Sequence, residues 1–307
     1  MHESLIRCSR RGSTLLLVLV FLFIISTTTM ALIQVVNEYL DHKMSRYAGF
    51  RSFELALSGL AFGMEPDLPP DDERLRQNIS DQERFEVSFE SENRRISINA
   101  LLLGENQEPL ERLLREWGLN AQEASTLIDR LMDWVDTDSL KKLNGAEEID
   151  YLAQGRQGQP RNAAFLSVDE MNSVLGMERL NELRPDWQEY FTTAVNSPLD
   201  LMEADPTVLS AFLDISLEKA TDFSDYRTGS DGILKTEDDP EFESIQEVLG
   251  YLGVTQVPEA ALNQLTIQAT HRRIRSTGYA GTSQHIIEIV VPAGSEIQRQ
   301  NIVWIKL

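Results

Sequence analysis

The densest group of side chains able to do chemistry lies in a short acidic stretch near the middle of the chain. Six carboxylates fall within 18 residues there, namely Asp133, Asp136, Asp138, Glu147, Glu148 and Asp150. Ca²⁺ takes about six to eight oxygen ligands, and carboxylates are among its usual donors. Asp136 and Asp138 can converge in an extended turn, and Glu147 and Glu148 can return from the far end across Asn144-Gly145. Calcium is therefore one candidate ligand of this loop, with Asp136, Asp138, Glu147 and Glu148 as the candidate donors.

Other interpretations of the acidic residues stay open from the sequence alone. The stretch is not an EF-hand, because Leu140 stands where that pattern needs Asp or Asn, and a solvated acidic loop has the same composition. A second acidic run is a weaker candidate, and its residues do not decide whether it binds metal: Asp225, Asp231, Asp238 and Asp239.

An enzyme is not predicted. Many like charges in one polar loop suit an ion better than an acid–base pair, whose two pKa values must be pushed apart. The sequence also contains no serine-hydrolase elbow, no phosphate-binding loop and no dinucleotide motif. We therefore predict no catalytic residues.

Charge limits the partners of the chain. Its 307 residues include 49 Asp and Glu against 28 Lys and Arg, a formal charge of −21. Binding to nucleic acid, or docking on an anionic lipid surface, needs a basic face, so we predict no nucleic-acid partner. A single cysteine, Cys8, excludes a disulfide framework within the chain.

One segment is long and apolar enough to cross a bilayer. Residues Ser13 to Asn37 carry no charge, and about 20 apolar residues in a helix span the hydrocarbon core. Arg7, Arg10 and Arg11 precede the segment, which predicts a single span with the N-terminus in the cytoplasm and the remainder exported. A plain anchor and a cleaved signal peptide are the alternatives; the apolar run is longer than a usual signal core, and no A-x-A-like site follows it.

The residues before the span resemble the leader of type IV prepilins. Gly12 separates a short basic leader, residues 1–12, from the apolar run. The resemblance implies that a prepilin peptidase cuts after Gly12 and leaves Ser13 as the new N-terminus. Most pilins and pseudopilins carry Glu at the fifth position of the processed chain, where this sequence has Leu17. A Glu in an apolar helix is costly unless it meets a cation, so Leu17 suits a subunit with no neighbour above it.

The rest of the chain divides into a stalk, a sheet and an insertion. Apolar residues at spacings of three and four continue the helix as a stalk over residues 38–65, ended by Gly59, Gly63 and Pro66. Strand patterns occupy 66–99 and 264–307, and helical spacing with a weak internal repeat occupies 100–263. The predicted fold is α+β and pilin-like: a long transmembrane and stalk helix, and an antiparallel sheet with a large all-α insertion.

The predicted segments have specific boundaries. Strands are predicted at Phe85–Phe89, Ile96–Ile98, Leu265–Ala269, Ile286–Val291 and Ile302–Ile305. Helices of the insertion are predicted at Leu110–Trp117, Ala121–Val135, Ser167–Leu175 and Pro206–Leu213. Ser167, with Glu170 three residues later, and Asp205, just before Pro206, are the predicted N-terminal caps. The internal repeat pairs Asp133-Trp134 with Asp225-Tyr226.

An ordered set of motifs resembles the K subunit of type II secretion, the general secretion pathway protein K family. The motifs are the leader Arg11–Leu16, Leu131–Asp138, Asn144–Tyr151, Pro160–Asn162, Phe165–Met171 and Val174–Met177. This resemblance covers nearly the whole chain, although the second acidic run and the C-terminal sheet match only in character. It implies that the first acidic loop binds calcium.

The resemblance also implies a function and partners. Members of the family are minor pseudopilins at the tip of a periplasmic filament, which they help to start for the export of folded proteins. The implied partners are the minor pseudopilins I and J, the major pseudopilin filament below, the prepilin peptidase and the inner membrane. We keep two alternatives: a membrane-anchored, calcium-dependent periplasmic hydrolase, and a DNA-uptake minor pilin with helix-hairpin-helix units.

Overall fold

Helices and one main antiparallel sheet form the protein, so the predicted α+β class is confirmed. The computed structural model describes residues 7–65, 68–69, 72–232, 234, 236, 238–254, 259–294 and 302–306. The helices are α1 (Arg7–Gly63), α2 (Ile98–Leu103), α3 (Glu108–Glu116), α4 (Ala121–Val135), α5 (Glu148–Ala153), α6 (Met177–Leu183), α7 (Pro206–Leu213), α8 (Leu217–Arg227), α9 (Ile245–Tyr251) and α10 (Glu259–Leu262). The strands are β1 (Arg76–Ser80), β2 (Glu83–Ser91), β3 (Ile96–Ser97), β4 (Phe191–Thr192), β5 (Leu199–Asp200), β6 (Leu265–Thr266), β7 (His271–Ala280), β8 (Ser283–Pro292) and β9 (Trp304–Lys306). Short 3₁₀ turns occur at Glu73–Leu75, Glu92–Arg94, Val168–Ser173 and Trp187–Tyr190.

Helix α1 is continuous over 57 residues, through the predicted span and stalk. At 1.5 Å per residue it is roughly 85 Å long. Among the described residues it is the one helix long and apolar enough to cross a membrane, which fits a single-pass anchor. Its apolar side chains between Leu15 and Val36 are exposed, as a lipid-facing helix requires.

The last third of α1 lies directly on the sheet because glycines leave room for it. A Cβ on Gly278 of β7 would overlap the backbone oxygen of Ser52, and one on Gly63 would lie 2.7 Å from Ile274 Cγ2. Gly59 was predicted to help end the helix, but it lies inside α1 and faces Ser276 and Phe85. Its absent side chain therefore permits close packing, and the helix ends at Gly63.

The main sheet has the order β1-β2-β7-β8-β9, with every neighbouring pair antiparallel. The chain leaves the sheet at the end of β2 and returns in β7, which pairs with β2 from Glu83–Ala280 to Ser91–Arg272. A core of Leu55, Phe85, Val87, Ile274 and Ile289 lies between α1 and this sheet. The chain between β2 and β7 is thus an insertion between two adjacent strands.

Two strands predicted for the pilin-like sheet belong to the insertion instead. Ile96–Ser97 pairs in parallel with Phe191–Thr192, and Leu265–Thr266 pairs in parallel with Leu199–Asp200. These two short pairs close the base of the helical domain, whose core runs from Ile96 to Leu265. The error has a physical reason, because a two-residue apolar–polar pattern is the same whether the strand pairs locally or in a large sheet.

Most of the predicted helices are present. Ala121–Val135 and Pro206–Leu213 have the predicted bounds, and the predicted cap Asp205 accepts a hydrogen bond from the backbone N–H of Thr207. The segment Ser167–Leu175 is a 3₁₀ turn rather than an α-helix. It still has its predicted N-terminal cap, because the Ser167 hydroxyl accepts from the backbone N–H of Glu170.

The predicted internal repeat corresponds to two helix pairs, α3–α4 and α7–α8. Residues in the left-handed region link the helices of each pair: Gly118 at φ 100° and Asp214 at φ 53°. The second helix of each pair then starts from a capping side chain, Asn120 or Ser216.

The dipeptides paired in this repeat lie at the ends of the second helices. Asp133-Trp134 and Asp225-Tyr226 are each followed by one last helical residue, Val135 in α4 and Arg227 in α8. Counted from the N-terminal caps the dipeptides differ by four positions, because α4 has 15 residues and α8 has 11.

Buried ions join the helical domain to the sheet. Glu92 is fully buried and accepts from Arg273 Nε at 2.7 Å and Nη2 at 2.8 Å. Arg273 also donates to Glu288 at 2.8 Å, and Arg95 donates to Glu92 at 3.3 Å. The Thr192 hydroxyl of β4 donates to the same carboxylate. Buried ion pairs and a hydrogen bond therefore connect strands β7 and β8 of the sheet to the base of the insertion.

Loss of the central carboxylate should destabilise the whole exported part. Glu92→Ala removes the carboxylate that two buried guanidinium groups share, and breaking such a buried pair costs about 3–5 kcal/mol. Urea unfolding at pH 7 measures the change. Glu86→Ala removes an exposed carboxylate that pairs with Arg84 on the sheet surface, and it should cost less than about 1 kcal/mol. Equal costs for the two variants would show that the buried ions do not hold the junction.

Candidate functional site

The first acidic loop lies between the end of α4 and the start of α5. Asp133 is in the last turn of α4, Asp136 is its C-terminal cap, and Asp138 follows in the loop. Glu147 caps the N-terminus of α5. The loop is held in the middle by Asn144, whose backbone N–H and side-chain amide both donate to Asp129 at 3.0 Å. The C-terminus of α4 and the N-terminus of α5 therefore bring together carboxylates from the start and from the finish of the loop.

Gly145 makes this closure possible. A Cβ at this position would overlap the carboxylate of Asp133. Asp133 itself is fully buried, and both of its oxygens accept from the backbone N–H of Lys142 at 3.2 Å. The turn Asn144-Gly145, predicted to return the chain, thus lies against the side chain around which the loop folds.

Two carboxylate oxygens in the loop are buried without a hydrogen-bond donor among the described residues. They are Asp136 Oδ1 and Glu147 Oε1. A buried polar atom without a partner is costly, and for an anionic oxygen a cation removes that cost. These two atoms are the structural observation that fits a metal ion in the loop.

Burial and neighbouring charge raise the pKa of carboxyl groups in this loop. Burial raises the pKa of Asp136, and the charges of Asp138 and Asp133 raise it further. Burial also raises the pKa of Glu147, followed by the charges of Asp133, Asp136 and Asp138. The pKa of Asp133 is raised by burial, against hydrogen bonds from the backbone of Lys142 and Ala146. Nearby negative charge therefore disfavours the ionised forms of Asp136 and Glu147, and a bound cation would relieve that repulsion.

The predicted ligands are not all placed alike. Asp136, Asp138 and Glu147 interact as described, together with Asp133, which the sequence analysis counted in the cluster but not as a ligand. Glu148 is exposed in the first turn of α5. Asp133 could have been chosen from the sequence, since it lies one helical turn before Asp136 and therefore on the same side of α4.

Asp150 has a structural role. Its carboxylate accepts from the backbone N–H of Glu147 at 2.9 Å and from Lys141 Nζ at 2.7 Å. The Lys141 hydrogen bond, with that from Glu147, lowers the pKa of Asp150. This side chain is therefore ionised and already paired, and it ties the middle of the loop to α5.

The second acidic run forms a tighter group of carboxylates. Within the part of the chain that the structure describes, Asp231, Asp238 and Asp239 are the three whose oxygens all approach within 4.8 Å of one another. Hydrogen bonds from the Ser230 hydroxyl, the Thr236 hydroxyl and the Ser230 backbone strongly lower the pKa of Asp238. Asp225 lies on α8 and outside this group. Asp231 and Asp238 are exposed, so a solvated loop explains the group equally well.

The predicted processing site lies within the first turns of helix α1. Gly12 and Ser13 are helical, and their side chains fall outside the described part of the structure. The predicted cleavage between them stays a prediction.

The fold and the site together define a class of protein: a pilin-like membrane-anchored protein with a helical domain inserted into its sheet and an acidic loop on that domain. Residues 95–185 match the family model described as type II secretion system (T2SS), protein K. This match supports, for residues 95–185, the resemblance inferred from the sequence motifs.

Two known proteins resemble longer parts of the chain. A type II secretion system protein K of Pseudomonas aeruginosa is 27% identical over 169 residues, which are 52% of this chain and 49% of the relative. The matched region thus spans about half the length of that curated relative. A chain in the crystal structure of the GspK-GspI-GspJ complex from the enterotoxigenic Escherichia coli type 2 secretion system matches with a TM-score of 0.60 and 14% identity, covering 88% of this chain and 98% of that chain. The second match shows that the two chains share a fold.

The contact between Gly145 and Asp133 gives a direct test of the loop geometry. Gly145→Ala should destabilise the helical domain by about 1–3 kcal/mol, the usual cost of overpacking, because the added methyl overlaps a buried carboxylate. Gly250→Ala is the matched control: it lies in α9 with no atom near the added methyl, and it should stabilise that helix by about 0.5–1 kcal/mol. Chemical unfolding measures the free energy of unfolding of both variants. A Gly145→Ala variant as stable as the wild type would show that the loop does not close on Asp133.

Proposed function

We propose that the chain is a minor pseudopilin of the type II secretion system, placed at the tip of the periplasmic pseudopilus, where it starts filament assembly for the export of folded proteins. The observation that carries the proposal is the fold itself: a protein K domain lies within a helical insertion between adjacent strands of a pilin-like sheet. Helix α1 anchors the chain in the inner membrane, with its N-terminus in the cytoplasm and the rest in the periplasm.

Two features support the tip position. The helical domain extends from Ile96 to Leu265 and would have to fit at every step of a filament if the subunit were repeated. Leu17 replaces the Glu that a repeated subunit would use to meet a neighbour's N-terminal amine. The chain is therefore suited to an end rather than to the body of the filament, with the major pseudopilin below it.

The stalk offers a surface for partners. Tyr47, Phe50 and Leu57 on α1 are exposed, whereas Phe53 and Leu60, from the same predicted stripe, are half-buried toward the sheet. The stripe thus divides into a face for the chain's own sheet and a face for other subunits. The similar solved structure contains GspI and GspJ with GspK, and we propose minor pseudopilins I and J as the partners on this face.

The two alternative functions have less support. A hydrolase needs two groups with separated pKa values, whereas burial and mutual repulsion raise the pKa of Asp136 and of Glu147 alike. DNA uptake through the helix pairs needs basic side chains beside the turns. In this chain an acidic loop follows the second helix of each pair, α4 in one and α8 in the other. We therefore infer that the helix pairs are structural.

Processing after Gly12 tests the proposal at the membrane. Mass spectrometry of the membrane-extracted protein should find Ser13 at the N-terminus when prepilin peptidase is present. Gly12→Leu should leave the leader attached, whereas Gly49→Ala, a glycine in α1 with no atom near the added methyl, should be cut normally. An intact leader on the wild-type chain would contradict the pseudopilin assignment.

We propose that the first acidic loop binds Ca²⁺ through Asp136, Asp138 and Glu147, with Asp133 beneath them and Glu148 as the least supported member of the predicted set. The orphaned oxygens Asp136 Oδ1 and Glu147 Oε1 support this. The ion would neutralise the repulsion that, together with burial, raises the pKa of Asp136 and of Glu147. In this chain its task is to hold the loop and α5 against the rest of the helical domain.

Calcium should raise the melting temperature of the exported part, and chelator should lower it. Binding to the folded state alone stabilises by about 2.7 kcal/mol at a hundredfold excess over Kd. Asp136→Ala with Glu147→Ala should abolish the response of this loop, while Glu218→Ala with Asp222→Ala, two exposed acids of α8, should keep it. Magnesium should substitute poorly, because it requires a tighter octahedral shell.

The same site predicts a pH dependence. The pKa values of Asp136 and Glu147 are raised in the metal-free fold, so protons compete with calcium at a higher pH than for ordinary carboxylates. Calcium affinity should therefore fall as the pH is lowered through those raised pKa values, while the metal-free loop gains stability because protonation relieves its repulsion. If calorimetry shows no calcium binding at neutral pH, the proposal that the first acidic loop binds calcium is wrong.

A further inference from the structure

A wide cleft lies beside α1, beyond the end of its apolar segment. It has a volume of about 1140 Å³ and is formed by α1 around residues 41–51 and by two hairpin turns. One turn joins β1 to β2 and the other joins β7 to β8; Gly281 N–H donates to Gln82 O at 2.9 Å and ties them together. Arg51 on α1 donates twice to Glu83, at 3.0 Å each, which fixes the turns against the helix.

The cleft begins just beyond the level of the lipid headgroups. The charge-free part of α1 ends at Asn37, and at 1.5 Å per residue Lys43 lies roughly 9 Å and Arg46 roughly 14 Å beyond it. The headgroup layer on each side of a bilayer is about 5–8 Å thick. Long basic side chains reach back toward that layer along the helix. Tyr39 lies roughly 3 Å beyond Asn37, within the layer where aromatic residues are enriched at membrane surfaces.

Both signs of charge line the cleft. Lys43 and Arg46 come from α1, Asp41 comes from the same helix, and Asp81 comes from the β1–β2 turn. All four are exposed, and none takes part in a salt bridge with another residue of the described structure. Lys43 Nζ lies 4.8 Å from the centre of the Tyr39 ring. The charges of the fixed pair Arg51–Glu83 cancel, so the free groups are two cations and two carboxylates.

This balance selects the ligand. A chain with a net charge of −21 repels an anionic membrane surface. A zwitterionic headgroup carries a phosphate for the two cations and a positive group for the carboxylates. A primary ammonium can donate hydrogen bonds to a carboxylate, whereas a trimethylammonium has no N–H to donate.

We propose that this cleft binds the phosphoethanolamine headgroup of a membrane phospholipid, with the phosphate at Lys43 and Arg46 and the ammonium at Asp81. The bound lipid holds the sheet and its turns against the membrane surface before the subunit is taken into a filament. This inference rests on the membrane anchor of the proposed function and not on the tip position or on calcium.

Native mass spectrometry of the full-length protein tests the proposal. The protein is placed in nanodiscs of equal phosphatidylethanolamine and phosphatidylcholine with the same acyl chains, and the lipids that it retains are identified. The wild type should retain phosphatidylethanolamine in roughly tenfold excess, because a hydrogen bond to a charged group contributes affinity of that order.

Variants separate the two halves of the site. Lys43→Gln with Arg46→Gln should lower the retention of both lipids, while Asp81→Asn should lower phosphatidylethanolamine to the level of phosphatidylcholine. Arg115→Gln with Lys219→Gln and, separately, Asp222→Asn change exposed charges of the helical domain and should behave as wild type. Melting temperatures check that every variant is folded, and because all of these side chains are exposed they should be unchanged.

Three results would overturn the proposal. They are equal retention of the two lipids by the wild type, unchanged retention in the Lys43–Arg46 variant, and preference for phosphatidylglycerol when it replaces phosphatidylcholine in the nanodiscs. A chain that is processed at Gly12 but shows one of these results would leave the proposed function intact, so the two failures are distinguishable.

Discussion

The close contact between helix α1 and strand β7 is the constraint on which the rest of the structure depends. Gly278 lets the helix backbone at Ser52 approach the sheet without an intervening side chain, and Gly59 and Gly63 continue that approach toward the end of the helix. Because β7 lies in the middle of the sheet, this contact fixes the stalk against all the strands around it. It also places the two hairpin turns beside the point where the helix leaves its apolar segment.

The insertion can be large because it begins and ends beside this fixed frame. Strands β2 and β7 are neighbours, so the helical domain leaves and returns at one place. The short parallel pairs at its base and the ions around Glu92 connect it to the sheet. The acidic loops belong to the second helix of each helix pair, which places them on the insertion and away from the contact between α1 and the sheet.

Much of the fold could be predicted because its signals are local. The charge-free run of α1, the caps at Asp205 and Ser167 and the period of α4 each depend on residues within a few positions. The parallel pairs at Ile96 and Leu265 could not be predicted, since their partners lie about 70–100 residues away and their own pattern is only two residues long. The role of Gly59 could not be predicted either. A glycine that ends a helix and a glycine that allows close packing look alike in the sequence, and only the position of the sheet separates them.

The candidate site was predicted in part for comparable reasons. The density of carboxylates identified the loop, and the turn at Asn144-Gly145 identified how it closes. Burial, however, depends on the tertiary fold, and burial separates Asp133 and Glu147 from the exposed Glu148. Hydrogen bonds from Lys141 and from the backbone of Glu147 likewise make Asp150 a structural residue, which its charge alone does not show.

We propose above all that this chain forms the tip of a pseudopilus, with two other minor pseudopilins along its stalk. The most direct measurement is native mass spectrometry of the exported part produced together with the I and J subunits of the same system. The account predicts one complex with a single copy of each chain, and it predicts that charged substitutions of Tyr47 and Phe50 on the exposed stalk face disrupt the complex while the fold persists. A chain that stays alone, or that forms a repeating assembly with itself, would contradict the account.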